Sequence, residues 1–339
     1  AFYNSSIKTV KIPSNVSKIN KAAFCQCFEL ETVIFPENSK LQTICENAFS
    51  ESNIRKIIIP SSVTEIENFA FNECGKLKTI EISEDSQIRS IGKYSFNETY
   101  IDCFTIPSHV NEIKEGWITG VTKVNVNPLN PNFKEFDDGK IIVSKSSLSS
   151  NLLDTLFYCN RKSIKIKIPD FIQFIYPFAF AKSHIRTITI PSNVLQIGNN
   201  SFKLCTKLRT VKFQKDSKIK LIDREAFFAS SITKAIIPKE VTKIGESAFS
   251  YCSDLKTVIF EDDSKLRSIE SHAFYCSAIK NVCITSKNLV NIDDEAFCNS
   301  NLLIVEMASI QNLNSIKKAF PSYSRFILMV NNEAQINKQ

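Results

Sequence analysis

Ile57-Ile58-Ile59-Pro60-Ser61-Ser62-Val63, followed at fixed distances by Ile66 and by Ala70-Phe71, is one of two phrases from which this chain is written. The other runs Val258-Ile259-Phe260, then Glu261-Asp262-Asp263-Ser264-Lys265-Leu266, then Ile269 and Ala273-Phe274. The pairing of a small residue with Phe marks the register. It occurs at Ala1-Phe2, Ala23-Phe24, Ala48-Phe49, Ala70-Phe71 and Ser95-Phe96. It returns at Ala179-Phe180, Ser201-Phe202, Ala226-Phe227, Ala248-Phe249, Ala273-Phe274, Ala296-Phe297 and Ala319-Phe320. Successive Phe residues are 22, 25, 22 and 25 apart up to Phe96, and 22, 25, 22, 25, 23 and 23 apart from Phe180 onward. A short and a long unit alternate, and self-similarity at such a period is the mark of a stacked repeat architecture.

Each unit carries a period-2 segment such as Leu255-Lys256-Thr257-Val258-Ile259-Phe260, which reads as a short β-strand. The units are too short for crossover helices, so the strands stack as a parallel solenoid sheet with one strand per turn. X-Pro steps such as Ile12-Pro13, Ile59-Pro60 and Ile190-Pro191 end strands where the chain turns away. Three residues after each Phe stands a small, weakly polar side chain: Ser5, Cys27, Ser52, Cys74 and Thr99, then Ser183, Cys205, Ser230, Cys252, Ser277 and Ser300. These are expected to form an inward ladder that hydrogen-bonds the backbone of neighbouring rungs.

Composition agrees. The 339 residues are 43% hydrophobic, enough for a continuous core. Phe is abundant at 26 residues, as a recurring slot for a benzyl ring requires, while only seven glycines argue against phosphate-cradling loops. The net charge of +7 is dispersed, with no basic run of the kind that binds nucleic acid. No stretch approaches the ~20 apolar residues of a membrane helix. Ala1-Phe2-Tyr3-Asn4 lacks a basic region followed by an apolar run and is not expected to be a signal peptide.

The pattern I-P-S-x-V-x-x-I-x-x-x-A-F-x-x-C-x-x-L-x-x-V-x-F resembles the BspA-like, treponemal-type class of leucine-rich repeats, from about Ala1 to Val330. The resemblance implies a leucine-rich-repeat solenoid with a curved parallel sheet. Each unit of about 23–24 residues would contribute one strand, with short turns or 3-10 turns on the other side. It also implies a surface protein, since several members are adhesins that bind host matrix proteins or host cells. Trp117-Ile118 departs from the pattern by replacing the small-Phe pair of its unit. The chain starts inside a unit, because Ala1-Phe2-Tyr3-Asn4-Ser5-Ser6-Ile7 matches Ala48-Phe49-Ser50-Glu51-Ser52-Asn53-Ile54, and is expected to be a fragment. One solenoid over 1–339 is expected: a first repeat block at 1–126, an insertion at 127–162, a second block at 163–330 and a polar tail at 331–339. The insertion reads as a hairpin about Asp138-Gly139, with Leu152–Tyr158 as a further strand.

Little in the chain points to chemistry. His109, His184 and His272 lie at variable positions of separate units, so no nucleophile–base constellation is expected. The acids Glu261-Asp262-Asp263 lack the spacing of a cation cage, and neither a cofactor nor a metal is expected. Ladder cysteines in successive copies are two rungs apart, roughly 9–10 Å at the ~4.8 Å strand spacing, too far for a disulfide. Cys25, Cys103 and Cys283 are expected to face outward.

The outward side chains of the main sheet are the candidate binding face. In six strands of the second block, those positions hold Lys165, Lys167, Arg186, Arg209, Lys212, Lys234, Lys256 and Lys280, without an Asp or Glu. Such a face concentrates anionic ligands; the plainer alternative is a sheet kept soluble by Lys and Thr. Ile236 and Ile259, adjacent on it, are expected either as an apolar anchor or as ordinary exposed β-formers. The function expected is a non-catalytic scaffold, a cell-surface adhesin or antigen engaging a host protein, extracellular matrix included, or an acidic glycan. An intracellular protein–protein scaffold of the same fold is the alternative. No nucleic-acid partner and no membrane segment are expected.

Overall fold

The structure is a computed structural model that describes residues 1–147, 149–307, 317–322, 324–330 and 333–335. The chain divides into two compact units, residues 1–153 and 154–339. In both, the backbone winds as a parallel β-solenoid, about 13 turns in all, with almost no helix. The one 3-10 turn among the described residues is Lys317–Ala319.

Each coil has three sides. The first is the main strand. In the first unit Thr9–Lys11, Thr32–Ile34, Lys56–Ile59 and Thr79–Ile82 pair in chain order, and Cys103–Ile106 pairs with Lys123–Val126. In the second unit the order is Thr187–Ile190, Thr210–Phe213, Lys234–Ile237, Thr257–Phe260, Asn281–Ile284, Ile304–Met307 and Arg325–Val330. These strands alternate as their period-2 pattern requires: Val258 and Phe260 are buried, Thr257 and Ile259 exposed. The short and long units pair unequally. The short-unit strand Lys56–Ile59 pairs with the following long-unit strand at four positions, whereas Thr32–Ile34 meets its short successor only at Thr32↔Lys56.

The second side is a strand that sequence reading did not separate from the turns. Lys18–Ile19, Thr43–Ile44, Glu65–Ile66, Ser90–Ile91 and Glu112–Ile113 form a parallel sheet in the first unit. Phe174–Ile175, Gln196–Ile197, Leu221–Ile222, Lys243–Ile244, Ser268–Ile269 and Asn291–Ile292 do so in the second. Two residues are too few to show alternation, so only the lone inward Ile of each announces them.

The third side carries the small-Phe pair. In most coils the residue before the pair and the residue two beyond the Phe adopt left-handed φ, as at Ala22 (53°) and Gln26 (59°) or Ser247 (55°) and Tyr251 (57°). That conformation costs ~1–2 kcal/mol for a non-glycine residue, and the hydrogen bonds it aims along the stack offset the cost. The amides of Ala22, Phe24 and Gln26 donate to the carbonyls of Glu46, Ala48 and Ser50 in the next coil at 2.8–2.9 Å. Inside this ladder the Phe rings stack, at 5.2–5.3 Å between centroids from Phe2 to Phe96 and 4.7–5.3 Å from Phe180 to Phe320. At the departing unit, Phe96 donates its amide to the Trp117 carbonyl at 2.7 Å and bridges Ile118. Trp117 thus takes the small-residue slot, is 4% exposed and meets Phe104 edge-on at 4.9 Å. The preceding left-handed position is filled by Gly116 (φ 66°).

The inward ladder forms as expected. The Cys74 thiol donates to the Phe49 carbonyl at 3.0 Å and lies 3.4 Å from the Ser52 hydroxyl. Cys205 and Cys252 repeat this with the carbonyls of Phe180 (3.0 Å) and Phe227 (3.1 Å). None of the eleven cysteines is in a disulfide. Cys103 is exposed and Cys283 half-buried, but Cys25 does not face outward. It is 9% exposed, because the Ala22–Gln26 turn folds its side chain against the stack rather than away from it.

The segment 127–162 falls in both units. Phe133–Phe136 and Ile141–Ser144 form an antiparallel hairpin in the first. Its turn has Asp137, Asp138 and Gly139 all left-handed, a conformation that Asp and Gly tolerate best. The expected further strand is Thr155–Cys159, which pairs parallel with Phe174–Ile175 in the second unit. Of the expected polar tail, Glu333–Gln335 pairs antiparallel with Leu328–Val330; residues 331–332 and 336–339 lie outside the described residues.

Candidate functional site

All ten residues expected on the binding face lie in the second unit, and all ten are exposed. Pairing registers fix their arrangement. Lys165 bridges Thr187, and the same row continues through Thr210, Lys234, Thr257 and Asn281. Two residues further along the strands, Thr189 is opposite Lys212, and Ile236 is opposite Ile259 and then Cys283. Arg186, Arg209, Lys256 and Lys280 stand one residue before their strands. Neighbouring strands lie ~4.8 Å apart, so these cations share one continuous surface.

Their pairing is the informative feature. Arg209 is bound by Asp254 and also donates to the Ser231 carbonyl at 3.1 Å. Among the described residues, no acid lies within 4.0 Å of the Lys165, Lys167, Arg186, Lys212, Lys234, Lys256 or Lys280 nitrogen atoms, although that is the distance at which ion pairs form elsewhere in the chain. The first unit is different. There Lys8 pairs with Glu29 (3.7 Å), Arg55 with Glu31 (3.0 Å) and Lys56 with Glu81 (2.5 Å). The Arg55 hydrogen bond and charge hold the Glu31 carboxyl below its usual range. Three cations of the first unit's face are thus paired with acids, although exposed Lys11 and Lys78 are not, whereas on the second unit's face only Arg209, among the described residues, is paired.

Sequence reading missed two acids. Asp254 belongs to a turn, but it immediately precedes the inward Leu255 and so reaches the strand entry, as Glu29 does before Leu30. An acid just before the inward Leu was the available signal. Glu306 lies on the same face beside Cys283, one strand beyond those considered, and with burial it pushes the Cys283 thiol up. Away from this face, the structure brings His272 to Glu295 (2.8 Å) and to the Ser271 hydroxyl (2.8 Å) on the turn side. These groups are partly exposed and lie on adjacent coils. No helix among the described residues is long and apolar enough to cross a membrane.

Parallel coils, the inward Leu and Ile positions and a broad exposed sheet define a leucine-rich-repeat binding scaffold. The chain belongs to the BspA type leucine-rich repeat family, whose profile matches residues 1–125, 133–256 and 220–336. No match was found among curated protein sequences. Among solved structures, the pneumococcal vaccine antigen PcpA aligns over 95% of this chain and 79% of its own, with 21% identity and a TM-score of 0.79. A leucine-rich repeat protein from Eubacterium ventriosum aligns over 97% and 87%, with 19% identity and a TM-score of 0.65. A leucine-rich cell surface protein from Faecalibacterium prausnitzii aligns over 76% and 80%, with 22% identity and a TM-score of 0.55. At these identities the likeness is one of fold.

Proposed function

We propose that this chain is a non-catalytic recognition scaffold, a cell-surface adhesin or antigen, that engages an acidic partner through the main-sheet face of its second unit. The observation that carries the reading is the set of seven exposed cations without an acid in reach. A sheet that needed only solubility would be served by the paired charges of the first unit. Unpaired cations instead leave a field that steers anionic ligands and is released on their binding. The partner class comprises acidic host proteins, matrix proteins included, and acidic glycans. The family, a vaccine antigen and a cell surface protein among the structural neighbours support the location.

The test is retention on immobilised heparin and on immobilised polyglutamate across a salt series. Screening acts over ~10 Å at 0.1 M salt, so binding should fall steeply with added salt. Reversal of Arg186, Lys212, Lys234 and Lys256 to Glu should abolish it. Reversal of Lys215, Lys220 and Lys287, exposed elsewhere in the second unit, should leave most of it. Equal loss from both sets would reduce the effect to net charge and refute the site.

One observation favours the intracellular alternative. Eleven cysteines outside any disulfide, Cys103 exposed among them, suit a reducing compartment better than an oxidising one. Antibody labelling of intact against permeabilised cells separates the two locations.

A further inference from the structure

The basic face contains a seam. Thr187–Ile190 pairs with Thr210–Phe213 at four positions, as Lys234–Ile237 does with Thr257–Phe260. Between them, Thr210–Phe213 meets Lys234–Ile237 only at Thr210↔Lys234. The inward residue next to the seam is Ala235, where the two neighbouring strands carry Val211 and Val258 and the strand beyond the seam partner carries Ile188. With so small a side chain there, Val211 and Phe213 remain half-exposed, whereas Val258 and Phe260, the same positions of the next long unit, are each 2% exposed. A cavity of about 10 Å³ lies below, lined by Val211, Phe213, Ala235 and Ile236 and floored by Phe227 and Phe249. That is room for one water at most, so a ligand group would lie over the seam rather than enter it. Ile236 (38% exposed) and Ile259 (39%) extend the apolar patch, and unpaired Lys212, Lys234 and Lys256 border it.

The first unit repeats the pairing and leaves Phe35 half-exposed as Phe213 is, but the rest of this surface does not recur. Its seam pairs only at Thr32↔Lys56, yet Ile57 fills the inward position, Val33 is 8% exposed, and Arg55 and Lys56 are tied to Glu31 and Glu81. A small inward residue at the seam and three unpaired lysines around it coincide in the second unit.

We infer that the basic face recognises an acidic polypeptide segment bearing a bulky aliphatic side chain, which packs across the seam beside Val211, Phe213 and Ile236. The inference rests on the proposal that the basic face is the binding face, and it selects the polypeptide from the two acidic partner classes. A glycan anion satisfies the lysines, but its hydroxyls lose water against an aliphatic patch that returns no hydrogen bond. An acidic segment with Leu or Ile satisfies both, with the apolar contact central and the charges around it.

The test measures fluorescence anisotropy of the full chain with three labelled probes: a short peptide alternating Glu and Leu, its counterpart with Ser for Leu, and a heparin oligosaccharide. The Glu/Leu peptide should bind about tenfold or more tighter than the Glu/Ser peptide, a step of ~1.4 kcal/mol. Ala235→Ile, which fills the seam as Ile57 does in the first unit, should erase that advantage while the Glu/Ser peptide and heparin bind as before. Ile236→Ser with Ile259→Ser should do the same, and these outward positions decide the matter should the Ala235 variant misfold. Ile34→Ser with Ile58→Ser, the exposed counterparts in the first unit, should change nothing. Equal binding of all three probes overturns the seam and leaves the basic face standing. Failure of all three overturns both.

Discussion

The thiol ladder ties stability to alkaline pH, and Cys74 gives the cleanest measure of it. Its side chain is fully buried and donates to the Phe49 carbonyl. Burial pushes the thiol from an ordinary 9.0 up to about 11, because a thiolate there would be unsolvated and would face a carbonyl as an acceptor with nothing to donate. The folded value is raised above the unfolded one, so the stabilisation is complete below pH 9 and is lost as pH climbs from 9 toward 11. At about pH 10 the unfolded thiol is mostly ionised and the folded one is not, a difference of ~1.4 kcal/mol. Cys74→Ser retains a hydroxyl donor and removes the titration. Urea unfolding of the first unit, followed through buried Trp117 (4% exposed), should show native protein losing ~1.4 kcal/mol more than the variant between neutral pH and about pH 10. Lysine and tyrosine ionisation is common to both proteins and cancels in the difference. Parallel stability–pH curves for native and Cys74→Ser would refute the reasoning: the thiol would then ionise as freely folded as unfolded, and the ladder would not be sealed.

In the second unit, Cys205→Ser with Cys252→Ser should flatten the pH dependence more, since those thiols are raised to about 11 and about 12. The same burial predicts that iodoacetamide labels Cys103 in the native protein but reaches Cys74, Cys205 and Cys252 only in urea, which peptide mass mapping reads directly. Phe249→Ala removes a ring stacked at 5.1 Å on Phe227 and 5.3 Å on Phe274 and should cost ~3–5 kcal/mol in denaturant titration. A cost near zero would break the assigned register. Gly116→Ala should destabilise the first unit by ~1–3 kcal/mol, because Gly116 sits at φ 66° and a methyl there would meet the Tyr94 ring at 2.2 Å; an unchanged melting curve would contradict it.

The spacing of Ala70-Phe71 and its copies determined the coil length, the Phe stack and the inward Ser/Cys ladder, because each is a one-dimensional repeat that recurs in the chain itself. It also placed Lys212, Lys234, Ile236 and Ile259 on the outer face, since alternation along a strand is a local property. The second strand of each coil was illegible, since two residues carry no period. The pairing of Arg209 with Asp254, residues two coils apart in sequence, depended on how coils stack. So did the seam: Ala235 reads as an ordinary small inward residue until the register leaves Thr210–Phe213 attached to Lys234–Ile237 at a single position. Which charges remain free and which apolar groups remain uncovered are sums over neighbours from other coils. A chain read along one dimension lists those neighbours, and only their stacking decides which of them touch.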